Sequence, residues 1–558
     1  MISHSLINLI FIRTSIFLLE YALFIELSLL ALVSLKFGFQ PTSGSATAIT
    51  LKTLILTLCI LEISSLILLY LPHKTRLLNS KAIPPSPPLT QPQRQALFQQ
   101  CTTNVPDWDH YLKLWFLNAP LSEIKRDNIR DFILWGFFDT DSTTPLSPET
   151  ESEISSYISH IEFLSGHKFP PGRGTATTPL RLTFDPIPTR PRSIICVYPN
   201  LPLLPTPPFI PPPPTPPPSP SPSPSTHLSY HLRPHLSPHH SPIIFLHGIG
   251  IGLYPYPPLL LSLPQNIGLL IPENLPYSTR LTSPPLSKSL FLSELSSILA
   301  SLPPSWKNFT LVTHSYGSVL ATHILSDETL SKRVNALVLI DPVTILLHLP
   351  DLWYFASMDP GVGEGLGRHF FWRENILWRE GLVSFIDGGD TTKAGNNSDK
   401  RRRVGVVLSG RDLIVDTGTV AKYLAHDGDG KWTDTQDDRW GIHGEVEKYK
   451  TRDGIEILWF PELDHAQVFE NKKDYKLVGR RLRLLNLQLR PTPGCQIDFD
   501  RRRPTADHHQ HQILEFRFVD GLVLDPRGDV RKVSLLEYVP LGPLLVFVFG
   551  LREEGACA

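Results

Sequence analysis

A strand-like segment that stops abruptly at a serine, residues 311–318, constrains the fold of this chain most strongly. The buried-strand pattern of 311–313 leads to Ser315, and a helix-forming stretch, 319–325, follows. A serine on a sharp turn between a strand and a helix projects its hydroxyl beyond the sheet, at the positive end of the helix dipole. Gly317 lets that turn close without a side-chain clash. The segment therefore predicts an α/β fold with Ser315 as a candidate nucleophile.

One residue departs from the usual pattern of this turn. The pattern G-x-S-x-G would place glycine at position 313, where this chain has Thr313. A β-branched residue there leaves two interpretations open, a working nucleophile or a fold that retains the turn without the chemistry. A serine in such a turn is also commonly a cap residue, so the interpretation depends on partner residues elsewhere in the chain.

Candidate partners follow three other predicted strands. The apolar stretch 241–246 runs into His-Gly-Ile-Gly, a turn that can aim a backbone N–H at a developing oxyanion. The strand pattern at 404–408 leads to Asp412, and the one at 454–460 leads to His465. The order Ser, Asp, His along the chain differs from the orders of the other known triad folds.

On these four motifs, HGIG, THSYG, SGRD and LDH, residues 243–470 resemble the α/β-hydrolase family. The resemblance implies a mainly parallel sheet with a helical cap over the site. Alternating strand and helix patterns agree with helices on both faces of such a sheet. In the family, the insertion that corresponds to residues 343–400 is the cap. Here it is rich in aromatic residues, which favour an apolar pocket.

The resemblance also implies a role for each matching residue. Ser315 would attack an acyl carbon, His465 would accept and return its proton, and Asp412 would orient the imidazole. The backbone N–H groups of Ile249 and Tyr316 would form the oxyanion hole.

Two alternatives concern the acid and the cofactor. Asp341 ends the predicted strand 334–340 and is the alternative acid, because a carboxylate at that strand end reaches the histidine in some relatives. The chemistry needs no cofactor and no metal, and the five scattered cysteines show no metal-ligand spacing.

The N-terminal region, residues 1–82, is predicted to be a membrane anchor. Two apolar runs, 15–35 and 53–71, are each long enough to cross a bilayer core of about 30 Å. A signal peptide remains an alternative for the first run. The glutamates inside both runs, such as Glu62, keep open a pair of soluble core helices. Basic residues after the second run favour a cytosolic location for the remaining chain.

Three further regions complete the predicted organisation. Residues 83–180 are predicted to be helical, packing on the hydrolase core or at the membrane surface. Residues 190–242 are predicted to be a proline-rich linker, either extended as polyproline II or disordered, that could contact an SH3-type or WW-type module. Residues 471–558 form an extension of unknown fold. A formal net charge of −1 offers no basic field for nucleic acid.

Together these patterns predict a membrane-anchored serine hydrolase with its catalytic domain in the cytosol. The aromatic cap and the anchor favour an apolar carboxylic ester or a lipid as substrate. The alternative is a catalytically inactive membrane protein of the same fold that acts in binding or scaffolding.

Overall fold

The structure is a computed structural model of the full chain. It describes residues 21–37, 45–78, 87–174, 177–181, 183–185, 225, 227–250, 252–278, 285–358, 371–388, 402–425, 446–451 and 453–486, with isolated positions before residue 21 and short strand segments between 523 and 547.

An eight-stranded sheet with the order β1-β3-β2-β4-β5-β6-β8-β7 forms the centre of the fold. The six inner strands run parallel, and the edge strands β1 and β7 are antiparallel to their neighbours. The strands are β1 (Ser229–Arg233), β2 (Ile243–Leu246), β3 (Leu269–Glu273), β4 (Phe309–His314), β5 (Val334–Ile340), β6 (Arg403–Ser409), β7 (Glu447–Lys450) and β8 (Ile455–Phe460).

Side chains of the inner strands are buried on both faces of this sheet. In β2, Ile243 and Phe245 enter one hydrophobic cluster, while Ile244 and Leu246 enter the other. Each strand alternates in this way because successive side chains point to opposite faces. Two apolar layers result, which is why these strands read in the sequence as continuous apolar runs.

Helices cover both layers. The α-helices of four or more residues that the structure describes are α1 (Ala22–Phe37), α2 (Ala46–Ser65), α3 (Gln91–Thr103), α4 (Trp108–Trp115), α5 (Arg126–Phe138), α6 (Pro148–Ser165), α7 (Pro257–Ser262), α8 (Lys288–Ser301), α9 (Gly317–Ser326), α10 (Asp351–Met358), α11 (Trp372–Asn375), α12 (Arg379–Ile386), α13 (Thr417–Ala425) and α14 (Lys472–Leu485). Helices α7 and α14 pack on one face of the sheet, and α8, α9 and α13 pack on the other.

The helices α3–α6 pack against the cap helices α10–α12 as one hydrophobic body. The rings of Trp115 and Trp353 stack with centroids 6.1 Å apart, and those of Phe137 and Trp372 meet edge to face at 5.9 Å. Arg373 in α11 donates to the carbonyl of Gly136 at 2.9 Å. The aromatic residues of the predicted cap therefore anchor it to the N-terminal helical region.

Among the described residues, one helix is long and apolar enough to cross a membrane. It spans Ile49–Arg76, 28 residues with a mean hydropathy of 2.4 in its most apolar window. Of the first predicted span, 15–35, the structure describes α1 and isolated earlier positions. Length and composition alone do not place either helix in a bilayer, so the two-span anchor stays a prediction.

Two predicted boundaries are wrong. Strand β1 lies inside the segment 190–242 that was predicted to be a proline-rich linker, because Ser229–Arg233 contains no proline and pairs at the sheet edge with β3. Helix α14 lies beyond residue 470 yet buries Val478 and Leu482 against the sheet, so the hydrolase domain reaches position 486. The rest of the proline-rich segment lies largely outside the described residues.

Candidate active site

Ser315 occupies the sharp turn between β4 and α9. Its φ is 50°, in the left-handed region that non-glycine residues rarely adopt. The backbone is held there by two hydrogen bonds, from Ser315 N to the carbonyl of Ile340 and from Ser318 N to the carbonyl of Ser315, both at 2.9 Å. Strain that the surrounding structure maintains in this way is typical of functional sites.

Two glycines allow the backbone to approach this turn. A Cβ at Gly317 would lie 2.2 Å from the carbonyl oxygen of Leu246, so no side chain fits there. A Cβ at Gly248 would lie 2.8 Å from the Cβ of Ser315. The HGIG turn after β2 is therefore packed directly against the serine turn.

Thr313 fits the strand in place of the usual glycine. It pairs in register with Leu246 and Leu339 and is completely buried. Its hydroxyl oxygen is buried and has no hydrogen-bond partner in the part of the chain that the structure describes. The threonine in place of glycine therefore leaves the shape of the turn unchanged and places an unsatisfied hydroxyl in the core.

This geometry predicts that Thr313→Val stabilises the protein by about 1 kcal/mol, because valine has nearly the same shape and removes the cost of the unsatisfied hydroxyl. The matched control is Thr310→Val in the same strand, whose hydroxyl donates to Asn486 Oδ1 at 2.6 Å. That control is expected to destabilise by about 1–2 kcal/mol. Urea unfolding would measure both changes. A loss of stability in Thr313→Val as large as that in the control would contradict the prediction.

His465 lies between Ser315 and Asp412. Its Nε2 is 2.9 Å from Ser315 Oγ, and its Nδ1 is 2.6 Å from Asp412 Oδ2. A carboxylate only accepts, so Nδ1 carries a hydrogen, and in the neutral form of the ring Nε2 accepts from the serine hydroxyl. The structure thus brings together the three residues that the sequence placed at the ends of three separate strands.

Asp341, the alternative acid, lies beside this arrangement but makes no hydrogen bond to the imidazole. One of its carboxylate oxygens accepts from Ser409 N at 2.9 Å. The other accepts from Ser409 Oγ and from Ala466 N, both at 3.1 Å. Asp341 therefore ties the end of β6 to the backbone that follows His465, and Asp412 is the carboxylate that contacts the ring.

The charges around His465 favour its protonated form. Burial lowers the pKa of His465, but the charge and hydrogen bond of Asp412, together with the charges of Asp341 and Asp464, outweigh burial and raise it to about 9. Burial raises the pKa of Asp341 above the usual range for a carboxyl. The site is thus well suited to stabilise the imidazolium that forms when the histidine takes a proton.

The two oxyanion candidates flank the serine. Tyr316 follows Ser315 directly and precedes the first turn of α9, whereas Ile249 follows Gly248 in the adjoining turn. The Tyr316 hydroxyl donates to that of Tyr277 at 2.7 Å, and Gly250 N donates to the carbonyl of Tyr277 at 2.9 Å. These bonds fix the two turns to each other. The role of the two N–H groups stays a prediction.

Three residues that support the site were missed by sequence reasoning. Gly248 N donates to the hydroxyl of Tyr256 at 3.1 Å, and that hydroxyl lies 2.9 Å from Nδ1 of His314. Burial holds the pKa of His314 well below its ordinary value, so this ring stays neutral beside His465. Asp464 accepts from Leu413 N and from His465 N, which joins the acid and histidine turns. Asp464 and His314 had a signal, since each directly precedes a candidate catalytic residue in the sequence.

Asp341, Asp412 and His465 also form the one group among the described residues with ligand-type atoms close enough to hold a metal, all within 4.8 Å of one another. Both ring nitrogens of His465 are already engaged, by Ser315 and Asp412. We therefore assign this cluster to the proton-transfer arrangement.

The strand order, the serine turn and the order of Ser, Asp and His together define an α/β-hydrolase fold. This is the fold that the resemblance in the sequence implied. The predicted mainly parallel sheet with cap helices is present, and the transmembrane helices stay a prediction.

Comparison with solved structures gives distant matches, each over less than half of this chain. A carboxylesterase from Bacillus subtilis matches with 12% identity and a TM-score of 0.30, over 46% of this chain and 87% of its own. A thermophilic esterase from Thermogutta terrifontis matches with 9% identity and a TM-score of 0.30, over 46% and 94%. A haloalkane dehalogenase from Agrobacterium tumefaciens matches with 13% identity and a TM-score of 0.28, over 47% and 99%. No family model and no curated protein matches the chain.

Proposed function

We propose that this protein is a serine hydrolase that cleaves a carboxylic ester through an acyl-enzyme intermediate. The observation that carries the proposal is the continuous chain of hydrogen bonds from Ser315 Oγ through His465 to Asp412. In this mechanism His465 takes the serine proton as Oγ attacks the acyl carbon, and then gives that proton to the leaving alcohol. Water repeats the sequence to release the acid and restore the serine.

The surroundings of the serine support each step. The positive φ at Ser315 presents its hydroxyl at the N-terminus of α9, where the helix dipole favours negative charge. The N–H groups of Tyr316 and Ile249 would hold the oxyanion, each contributing about 3–4 kcal/mol to transition-state stability. A serine nucleophile also separates this site from the branches of the fold that attack with aspartate.

We further propose an apolar substrate and a membrane location, with the catalytic domain in the cytosol. The aromatic residues of the cap and the apolar helix 49–76 support this part of the proposal. An apolar acyl chain would enter from the lipid phase and lie under the cap.

Labelling with a serine-reactive fluorophosphonate tests the proposed mechanism. The full-length protein is expected to label, with the adduct on the peptide that contains Ser315, and Ser315→Ala is expected to lose the label. Ser318→Ala is not a suitable control, because its hydroxyl donates to the carbonyl of Ser315. Ser326→Ala is suitable, since Ser326 is exposed at the other end of α9. Absence of labelling in folded wild-type protein would favour the binding or scaffolding alternative.

A further inference from the structure

Helix α14 combines an apolar face buried on the sheet with a strongly basic face in solvent. Val478, Leu482 and Leu485 are buried against the sheet. The opposite side carries five cations, which we call the basic face: Lys472, Lys473, Lys476, Arg480 and Arg483. The first four are exposed, and Arg483 is half-buried.

The basic face has no salt bridge within the part of the chain that the structure describes, and the charge of Lys473 acts on the nearby carboxyl of Asp474. Arg481, on the flank of the helix, forms an ion pair with Glu456, but none of the five cations of the basic face forms a salt bridge with a described residue. Asp474, the acidic residue of this helix, is buried on the side of the sheet. The full chain has a formal net charge of −1, so this density of positive charge is a local feature.

More positive charge gathers at the C-terminal end of the helix. Arg403 donates from one nitrogen to the carbonyls of Leu484 and Leu485, at 2.7 and 3.2 Å. Cations thus follow the whole length of α14, about 20 Å at 1.5 Å per residue.

We propose that the basic face of α14 binds the anionic headgroups of a lipid bilayer. A row of cations along a helix that lies flat against the domain matches a planar anionic surface, and exposed Leu484 can enter the interfacial region beside them. The apolar helix that ends at Arg76 is joined to α3 at Gln91 by 14 residues, 77–90. Such a connection spans at most about 50 Å. A bilayer that held this helix would therefore keep the folded domain close to its surface.

A bilayer fits this face better than nucleic acid does. Protein surfaces that bind single-stranded nucleic acid combine cations with aromatic side chains that stack on the bases. The one aromatic residue of α14, Tyr475, is half-buried. The leaflet facing the cytosol is the anionic one, which agrees with the predicted side of the membrane. Contact there would also orient the domain, and this inference does not depend on the proposed hydrolase chemistry.

The test uses the full-length protein held in phosphatidylcholine nanodiscs and measures its binding to separate vesicles. The vesicles contain either phosphatidylcholine alone or phosphatidylcholine and phosphatidylserine at about 3:1. The wild type is expected to bind the anionic vesicles and not the neutral ones, and added salt is expected to weaken binding. Each cation near such a surface strengthens association about fivefold. The triple variant Lys473→Glu/Lys476→Glu/Arg480→Glu should therefore bind roughly a hundredfold more weakly.

The matched control makes the same change of charge elsewhere, Lys307→Glu/Lys332→Glu/Lys422→Glu, at exposed positions on other elements. It is expected to bind like the wild type. Equal melting temperatures for both variants would show that α14 remains folded, since all the replaced side chains are exposed. Wild-type binding by the α14 variant, an equal loss in the control, or equal binding to neutral vesicles would overturn the proposal. Tighter binding to a short DNA duplex than to anionic vesicles would overturn it as well.

Discussion

A variant that lacks both Ser315 and His465 is expected to hydrolyse esters no more slowly than either single alanine variant. In the proposed mechanism the serine and the histidine act as one unit through the 2.9 Å contact between Oγ and Nε2, so removing either one would remove the whole nucleophilic step. Each single replacement should lower kcat by roughly 10⁶, and the double replacement by the same amount. Hydrolysis of a p-nitrophenyl ester by the full-length protein measures all three rates.

The control for this experiment is again Ser326→Ala, at the far end of the same helix, which should keep the wild-type rate. Losses that simply add in the double variant would mean that the two side chains act in separate steps. A single variant that retains most of the activity would place the nucleophile or the base elsewhere.

The candidate site could be predicted from the sequence because its residues follow recognisable strands. The parallel strands β4, β6 and β8 all end at the same edge of the sheet, so the residues that follow them converge there. Ser315, Asp412 and His465 each come soon after such an apolar run. The strand pattern and the order of the motifs along the chain were therefore enough to predict that these three residues lie close together.

The supporting contacts could not be predicted because they join residues far apart in sequence. Tyr256 reaches His314 across 58 positions, and Asp341 reaches Ala466 across 125. No local pattern marks a tyrosine or an aspartate for such a bond. The unsatisfied hydroxyl of Thr313 is likewise a property of its packed surroundings and not of the residue type.

The domain boundaries failed for a different physical reason. Strand β1 is short and lies at a sheet edge after a proline-rich segment. The proline-rich composition of the region therefore decided the prediction of a linker, and the strand pattern of five residues was too short to change it. Helix α14 has many charges and low overall hydrophobicity, and its narrow buried face shows only when the sheet is present. Likewise, the sequence left open whether α3–α6 pack on the core or at the membrane. A stripe of aromatic residues indicates that a helix face is buried but not which surface buries it.

The two carboxylates near His465 can be distinguished by a pair of matched substitutions. Asp412→Asn is expected to lower kcat by roughly 10⁴. Ile414 N and Val415 N both donate to Oδ1, so the amide oxygen stays there. The amide NH2 then faces Nδ1, donates to it, and leaves the imidazole in the wrong tautomer. Asp341→Asn should lower kcat only roughly tenfold, the size of one lost hydrogen bond, since the amide no longer accepts from Ala466 N. Glu328→Gln, the same change from carboxylate to amide at an exposed position, is the control.

The pH dependence of kcat/KM is a second, independent measurement that distinguishes Asp412 from Asp341. The proposed mechanism needs neutral His465, whose pKa is raised to about 9, so wild-type activity should rise with pH through a pKa above the ordinary value for histidine. Both carboxylates raise that pKa, and removing either negative charge lowers it. The acidic limb should therefore move to lower pH in both variants, and further in Asp412→Asn. A larger rate loss or a larger shift in Asp341→Asn would make Asp341 the acid that serves the histidine.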